Sequence, residues 1–483
     1  MVLNQFSQFR DEIQSSQQLS TLYKIIIERN EGVDSWIKDI IVLVLKIKYI
    51  VWTMLKKLIL ENWKSFRYAE LPLDPLTVLI GTNASGKSNV VEALEFLQRI
   101  ANGENIEAAL AGDKTLSSLR GGVELAARKG ENEFSLKVLV GDINDEIDYW
   151  YNIFLEVNEG VYLEHESIKI DNFKDHIYVP ESIFIINPST QIYSSKPMLT
   201  NYKGFNLDPS KYFHDYADIL EIDNVENKDR KQKILDELHK KRDFGENHLQ
   251  KIINHVILPT IKNIHILNPI PLTMRNYSRL SENIESDGSN IAGVLAALTD
   301  DKKAEIENTL SQYLKDLPEG DIKKVWAEKV GRFGYDAMLY CQEEWKPGEI
   351  IEIDARSMSD GTLRFLAILT ALLTRPEGSQ IVIEEIDNGL HPSRAALLVK
   401  ILKEIGSKRN IDILLTTHNP ALLDAFGSEI VPFVVVAHRD SETGESKLTL
   451  LEDIDNFPKL FASYSLGQMT TKGAIERSLS HGE

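Results

Sequence analysis

Cysteine is nearly absent from this sequence, whose 483 residues include a single one, Cys341. One thiol cannot form an intramolecular disulfide, and it cannot supply the several ligands of a cysteine-based zinc site. The count therefore excludes a small disulfide-stabilised secreted fold. It fits the reducing cytoplasm, where we expect the protein to reside.

A long uninterrupted apolar run is also missing. The most apolar N-terminal stretch, WIKDIIVLVLKIKYIVW at 36–52, is interrupted by charged residues, and its longest clean run is Ile40–Leu45. A membrane-spanning helix needs about 20 apolar residues. No small-residue cleavage site follows either, so we expect neither a membrane segment nor a secretory signal.

Positive charge is scarce relative to negative charge. The chain has 54 Lys and Arg against 73 Asp and Glu, which gives a net charge of −19. Such a molecule repels polyanions as a whole, so any nucleic-acid contact requires a local basic patch. The Lys and Arg cluster at 228–242 is one candidate, and nucleic acid is not expected to be the primary partner.

The chain has ample hydrophobic content for a large core. Its length and its hydrophobic content of 43% predict two or three structural units. No heptad pattern persists for three or four repeats, and no repeat of solenoid period is present. We therefore expect a globular protein without a long coiled-coil arm.

The most informative stretch is LIGTNASGKSNVVEAL at 79–94. Gly81 is followed by four residues and then by Gly86, Lys87 and Ser88, which is the spacing of a phosphate-binding loop. Glycines let backbone N–H groups turn toward an anion, the lysine reaches the terminal phosphates, and the hydroxyl can ligate Mg²⁺. An ordinary glycine-rich turn would need neither Lys87 nor Ser88.

The context of this loop agrees with the motif. An apolar run, Leu76–Ile80, precedes it, and a helical pattern, Asn89–Ile100, follows it, so the N-terminus of the helix adds its positive dipole end. The residues expected to hold the phosphates are Gly81, Thr82, Asn83, Ala84, Ser85, Gly86, Lys87, Ser88 and Asn89.

Three later stretches carry polar residues at element ends. In SMSDGTLRFLAILTALL at 357–373, Ser359, Asp360 and Gly361 open an amphipathic helix; alone, they would be an ordinary helix cap. In SQIVIEEIDNGLHPS at 379–393, an apolar strand ends in Glu384 and Glu385. Two adjacent carboxylates at a strand end are costly unless they serve a cation or a proton transfer.

The third stretch, IDILLTTHNPALLDAF at 411–426, is another apolar strand, which ends in Thr416, Thr417 and His418. A lone histidine in such a place is usually structural. In open α/β sheets, however, ligands bind beyond the carboxyl ends of the strands, and these motifs all lie at strand ends or helix starts. Their convergence predicts one composite site.

Together the motifs resemble the ABC-class ATPases. They resemble more closely the stand-alone AAA-type ATPases with ABC-like heads that are related to the overcoming-lysogenization-defect (OLD) nucleases and to SMC and RecF proteins. The resemblance covers most of 54–475. It assigns Walker A to Gly81–Ser88, the ABC signature to Ser359–Thr362, Walker B to Glu384 and Glu385, the D-loop to Asp387, and the switch histidine to His418.

The resemblance implies an α/β fold, the ABC-type ATPase head, with a P-loop mixed sheet, flanking helices, an antiparallel β subdomain and a mainly helical insertion. The implied domains are an N-terminal extension at 1–53, an ATPase N-lobe at 54–185, a mixed, mainly helical insertion at 186–330, and an ATPase C-lobe at 331–483. Residues 1–53 are either an added element or an upstream start that is not native.

Implied cofactors are ATP and Mg²⁺. Lys87 would contact the β- and γ-phosphates, Ser88 and Glu384 would hold Mg²⁺, Glu385 would polarise the attacking water, and His418 would sense the γ-phosphate. The catalytic residues would thus be Lys87, Glu385 and His418. Ser359, Asp360 and Gly361 would serve the nucleotide of the opposite protomer, which implies a head-to-tail homodimer or a higher oligomer.

Two positions depart from the ABC pattern. Glu384 stands where Walker B usually has Asp, and its longer side chain can still reach Mg²⁺ through water. No glutamine occupies the expected Q-loop position, because Gln98 lies within a helix. Arg120 in SLRGG is a possible substitute, and an arginine in a surface turn is the alternative interpretation.

Three functions are compatible with such an ATPase. The first is a sensor in a bacterial anti-phage or toxin–antitoxin-like system that controls a separate effector such as a nuclease, since 430–483 shows no fused TOPRIM or HNH nuclease. The second is a DNA-repair ATPase that binds DNA directly, which the acidic charge disfavours. The third, a transporter subunit, is disfavoured by the long insertion between Ser88 and Ser359, and we expect no membrane partner.

Overall fold

The computed structural model describes residues 53–142, 148–171, 183–186, 252–318, 320–389 and 391–480, all of which belong to one compact unit. The predicted N-terminal extension, apart from Thr53, lies outside the described residues. So do the basic cluster at 228–242 and the rest of 187–251 in the predicted insertion. The proposed domain boundaries therefore stay a prediction.

The strands follow the chain in the order β1 Thr53–Glu61, β2 Tyr68–Pro72, β3 Leu76–Ile80, β4 Glu133–Asp142, β5 Asp148–Val157, β6 Val161–Asp171, β7 Ile183–Ile186, β8 Ile264–Leu267, β9 Ser278–Arg279, β10 Ile322–Val330, β11 Asp336–Lys346, β12 Glu349–Asp354, β13 Gln380–Ile383, β14 Asp412–Thr416, β15 Val434–Arg439 and β16 Ser446–Leu450.

The α-helices are α1 Lys87–Ala101, α2 Ile106–Ala111, α3 Leu258–Lys262, α4 Pro271–Met274, α5 Ile291–Ala297, α6 Asp300–Lys315, α7 Asp360–Thr374, α8 Ala395–Arg409, α9 Pro420–Phe426, α10 Phe457–Ser463, α11 Leu466–Thr471 and α12 Ala474–Ser480. Within the described residues, none of these helices has the length and the apolar character needed to cross a bilayer.

The main sheet joins β16, β15, β3, β14, β13 and β8 in that order. All neighbours are parallel except β16, which pairs with β15 in the antiparallel sense. Strand β8 comes from the segment that the sequence assigns to the helical insertion, and it forms an edge of this sheet. Parallel pairing brings the carboxyl ends of β3, β14 and β13 to one side.

This sheet separates two hydrophobic cores. On β3, Val78 and Ile80 pack into one core while Leu79 packs into the other, as the alternation of side chains along a strand requires. Helix α1 covers one face of the sheet and α7 covers the other. Strands buried on both faces read as continuous apolar runs, and the sequence has such runs here.

Two antiparallel sheets complete the fold. The larger has the order β2, β1, β4, β5, β6, β7, and it corresponds to the antiparallel β subdomain that the resemblance implies. The smaller has the order β10, β11, β12, and β9 also pairs with β11. The predicted fold class, a mixed P-loop sheet with flanking helices and an antiparallel β subdomain, is confirmed.

One buried acid lies far from the glycine loop. Asp412 is at the N-terminal end of β14, where burial and the nearby Asp74 raise its pKa from 3.8 to about 7. The pKa of this carboxyl group is higher in the folded protein than in the unfolded chain. Its contribution to the free energy of unfolding is therefore complete at pH values below the pKa of the unfolded chain. That contribution is lost as the pH rises toward about 7.

We therefore expect Asp412→Asn to raise the free energy of unfolding at high pH, because a neutral amide avoids burying a charge. The gain should grow from pH 5 to pH 8 by on the order of 1–3 kcal/mol. Urea unfolding at both pH values measures it, with the exposed Asp455→Asn as a matched control. An equal effect at both pH values would contradict this assignment.

Candidate functional site

Three of the predicted motifs, the glycine loop, the carboxylate pair and the segment around His418, meet at the carboxyl edge of the main sheet. Strand β3 leads into the glycine loop, β13 ends at Ile383 just before the carboxylate pair, and β14 ends at Thr416. Because β14 lies between β3 and β13, the three loops are neighbours, although the glycine loop and Glu384 are nearly three hundred residues apart in the chain.

The loop geometry explains its two glycines. Gly81 has φ 145°, and a Cβ built there would lie 2.1 Å from the carbonyl oxygen of Ala437 on β15. Gly86 has φ 113°, and its Cβ would lie 2.8 Å from the Phe66 ring. Any side chain at either position would push the loop away from the sheet, so glycine is required here.

Lys87 begins α1 and curls back over the loop. Its Nζ donates to the carbonyl oxygens of Gly81 at 2.6 Å and Thr82 at 2.9 Å. Burial lowers its pKa, and the negative charges of Glu385, Glu384 and, to a smaller extent, Asp387 oppose this. The ammonium group is therefore held inside the loop, near the carboxylates that follow β13.

Ser88 and Glu384 are in direct contact, the Ser88 hydroxyl donating to Oε1 of Glu384. This contact joins the loop after β3 to the end of β13. A hydroxyl and a carboxylate are hard oxygen ligands of the kind that Mg²⁺ prefers, and Mg²⁺ usually completes its shell with water and phosphate oxygens. Among the described residues no cluster of three or more His, Cys, Asp or Glu could hold a metal by itself.

Glu385 has an unusual backbone conformation for a non-glycine residue, with φ 48°. Its N–H donates to Oγ1 of Thr416 at 2.7 Å, which ties it to the end of β14. The side chain is exposed and lines the pocket. A left-handed conformation costs free energy and is often kept at functional positions, and the hydrogen bond that Glu385 donates to Thr416 stabilises it.

A pocket of about 410 Å³ lies between these loops. Its lining residues are Asn83, Ala84, Ser85, Gly86, Lys87, Ser88, Asn89, Arg120, Glu384, Glu385, Thr416 and Arg439. The Ser85 hydroxyl is buried and has no hydrogen-bond partner among the described residues. The unpaired Ser85 hydroxyl in the loop, and the Ser88 and Glu384 oxygens beside it, fit a nucleoside triphosphate with Mg²⁺.

The remaining predicted residues do not line this pocket. Asp387 accepts a hydrogen bond from the Thr417 hydroxyl just behind it, and His418 is exposed at the same sheet edge. Ser359 caps α7 by accepting from the Thr362 N–H at 3.1 Å, and Asp360 pairs with Arg275 at 2.7 Å.

The third predicted signature residue, Gly361, lies close to the segment after the carboxylate pair. A Cβ on Gly361 would be 3.0 Å from the carbonyl oxygen of Gly389. The turn that opens α7 thus packs against the segment that follows Glu384 and Glu385, outside the pocket of its own chain.

Arg120 lines the pocket and lies in an exposed turn, so its role as a Q-loop substitute stays a prediction. Its Nη2 is 3.5 Å from Glu384 Oε1 and its Nε is 3.4 Å from Glu92 Oε1. The carbonyl of Arg120 also accepts from Lys64 Nζ at 2.7 Å. Its partners come from three segments distant in the chain, so the sequence indicates the residue but not its contacts.

Sequence reasoning missed Arg439. This residue ends β15, and its Nε donates to the carbonyl oxygen of Ala84 in the glycine loop at 2.8 Å. It therefore supports the loop on the side opposite Glu384. No local pattern marks it, since the contact depends on β15 pairing with β3 across more than three hundred residues of chain.

No curated protein matches the chain. Solved SMC heads are similar at low identity. The SmcHead bound to the C-winged helix domain of ScpA is 13% identical, with a TM-score of 0.45, and the alignment covers 82% of this chain and 97% of that one. The SMC head domain from Thermotoga maritima is 13% identical, with 82% and 98% covered and a TM-score of 0.38.

A third structure is the Smc head domain with an extended coiled coil bound to the C-terminal domain of ScpA, derived from Pyrococcus furiosus. It is 15% identical, the alignment covers 85% of this chain and 100% of that one, and the TM-score is 0.42. At these values the likeness adds nothing to the fold that the sheets themselves define.

The family comparison is decisive. The family model described as "AAA domain, putative AbiEii toxin, Type IV TA system" matches residues 76–424, which is more than half of the chain. The match runs from β3 through the glycine loop, the signature, the carboxylate pair and His418. The chain belongs to this family and carries an ATPase domain of the AAA type with ABC-like motifs.

Proposed function

We propose that the protein is a Mg²⁺-dependent ATPase whose nucleotide state controls a separately encoded effector, such as a nuclease, within a bacterial anti-phage or toxin–antitoxin-like system. The observation that carries the ATPase part is the contact between Ser88 and Glu384, with Lys87 and Glu385 beside it. The family description, which names a toxin–antitoxin system, supports the defence part. We place the protein in the cytoplasm.

Each residue then has one task. The loop amides and Lys87 bind the β- and γ-phosphates, and Ser88 and Glu384 would hold the metal. Mg²⁺ would supply positive charge that neutralises the phosphates. Glu385 accepts hydrogen bonds from the attacking water and orients it, and Arg120 adds a positive charge beside Glu384. His418 senses the γ-phosphate from the end of β14.

The signature residues suit a second copy of the chain better than their own pocket. Ser359, Asp360 and Gly361 lie outside that pocket, on the turn that opens α7. In a head-to-tail pair they would close the partner's nucleotide, and each nucleotide would be held between two protomers. A monomer would lack these contacts and would hydrolyse ATP slowly.

Two substitutions separate binding from chemistry. We expect Lys87→Ala to lose ATP binding, because it removes the charge that faces the phosphates. Glu385→Gln should bind ATP normally and lower turnover by about 100-fold or more, since it keeps the shape but cannot polarise water. Fluorescent-nucleotide titration and phosphate release in Mg²⁺ measure the two effects, with the exposed Glu452→Gln as control. Undiminished turnover by Glu385→Gln would overturn its role.

A mixing experiment tests the composite site. Ser359→Arg and Glu385→Gln proteins should each be nearly inactive, and a mixed dimer has one site with both changes and one with neither. Equal mixing should therefore recover up to about a quarter of wild-type turnover, because half of the dimers are mixed. Steady-state ATPase assays after mixing measure this, and each variant alone is the control. No recovery in the mixture would count against sites shared between protomers.

The effector should be another chain. We expect the purified protein to cleave neither DNA nor RNA in Mg²⁺, because its recognised polar motifs are used for ATP. Affinity purification from the native host should recover a stoichiometric second protein, and its amount should differ between wild type and Glu385→Gln. Lys87→Ala is the control for nucleotide dependence. Nucleic-acid cleavage by the isolated chain that disappears with its own substitutions would disprove the regulator role.

A further inference from the structure

A buried ion pair lies behind the nucleotide pocket, between the turn that joins β1 to β2 and helix α1. Lys64 Nζ donates to Oε2 of Glu92, and the two side chains are only 7% and 8% exposed. Burying two charges is costly unless further hydrogen bonds satisfy them. The remaining contacts of the two charges therefore indicate what the pair holds in place.

The turn that carries Lys64 is fixed against α1. Lys64 has φ 52°, and its N–H donates to the carbonyl oxygen of Ala126 at 2.9 Å. The neighbouring Trp63 is fully buried, and its Nε1 donates to the carbonyl oxygen of Asn89 in α1 at 2.7 Å. A left-handed backbone at a non-glycine residue costs free energy and persists only where surrounding contacts fix it. The backbone of Lys64 is therefore held in one position.

Both members of the pair also contact Arg120. Lys64 Nζ donates to the carbonyl oxygen of Arg120 at 2.7 Å, and Oε1 of Glu92 lies 3.4 Å from Arg120 Nε. The other end of the guanidinium, Nη2, lies 3.5 Å from Oε1 of Glu384. Because the guanidinium is a rigid planar fork, two carboxylates at its two ends fix its orientation.

Helix α1 brings Glu92 and the predicted metal ligand to the same side. Glu92 follows Ser88 by four residues, and side chains four apart lie on one face of a helix. Ser88 donates to the same Glu384 oxygen that Arg120 approaches. Arg120 lines the pocket and is 68% exposed, whereas Lys64 and Glu92 do not line it. Any effect of the buried pair on a nucleotide must therefore pass through Arg120.

A pair that only tied α1 to the turn would not need Arg120. Trp63 already fixes this turn against α1, and Lys64 Nζ lies 5.4 Å from the centroid of its ring. Lys64 and Glu92 nevertheless each direct one polar contact to Arg120, which comes from a different segment of the chain. What the pair adds is the position of that arginine.

Given the proposed ATPase function, on which this role depends, we propose that Lys64 and Glu92 are positioning residues that hold the Arg120 guanidinium at the metal end of the nucleotide pocket. There Arg120 meets the negative charge on the transferred phosphoryl group. An exposed arginine has many rotamers, and fixing one of them costs conformational entropy. The buried pair fixes it before the nucleotide binds, so the arginine is oriented in advance.

Phosphate release in Mg²⁺ and fluorescent-nucleotide titration of the full-length protein test this role. We expect Glu92→Gln to lower kcat by about 10- to 100-fold, because a misplacement of about 1 Å can cost two orders of magnitude. Nucleotide affinity should stay close to that of the wild type, since the glycine loop and Lys87 are unchanged. The double variant Lys64→Met Glu92→Gln leaves no charge buried alone, and it should show the same loss of kcat.

A double-mutant cycle separates an effect through Arg120 from an effect on the fold. Arg120→Ala should lower kcat at least as much as Glu92→Gln, and adding Glu92→Gln to it should lower kcat no further. Hydrogen exchange of the free protein gives a readout that needs no nucleotide. Amides in the turn around Arg120 should exchange faster in Lys64→Met Glu92→Gln than in the wild type.

Asp148→Asn is the matched control, because Asp148 is 11% exposed and pairs with Lys56 at 2.6 Å, away from the pocket. It should leave kcat and exchange around Arg120 unchanged. The positioning role is wrong if Glu92→Gln turns over like the wild type, if it lowers kcat equally with and without Arg120, or if exchange around Arg120 does not change. A wild-type protein without ATPase activity would instead overturn the proposed function.

Discussion

Parallel pairing of β3, β14 and β13 is the constraint on which the rest of the site depends. It brings the glycine loop, Thr416 and the Glu384–Glu385 pair to one edge, where their backbone hydrogen bonds hold them at fixed spacing. A register slip of one residue would exchange the residues that enter the two cores and would turn Ser88 away from Glu384. The burial of these strands on both faces therefore stabilises the geometry of the pocket as well as the fold.

Two adjacent carboxylates at that edge would repel one another in isolation. Glu384 and Glu385 are adjacent, and Lys87, Arg120 and the Ser88 hydroxyl surround them. Glu385 also holds a left-handed backbone, which costs on the order of 1–3 kcal/mol and is fixed by the hydrogen bond from its N–H to Thr416. Burial of the strands contributes more free energy than this local conformation costs. Such strained positions are common at sites that bind a charged ligand.

Features with local causes could be predicted from the sequence. Gly81 and Gly86 follow from backbone conformations that side chains resist, and the Ser359 cap follows from helix-end chemistry. Features with distant causes could not. Arg439 supports the loop only because β15 pairs with β3, and β8 is too short an apolar run to distinguish from a helix by periodicity. The roles of the site residues remain predictions, although the structure brings Lys87, Ser88, Glu384 and Glu385 together.

The segment that includes α4 and β9 supports the turn that opens α7. Arg275 donates to the Met358 carbonyl at 2.9 Å and pairs with Asp360. The turn is therefore held by a segment more than eighty residues away in the chain as well as by its own Ser359 cap. Under the proposed function, nucleotide-driven pairing of two copies would act on this turn, and any partner that favours one position of the turn would change nucleotide affinity by the same coupling free energy, because such coupling is reciprocal.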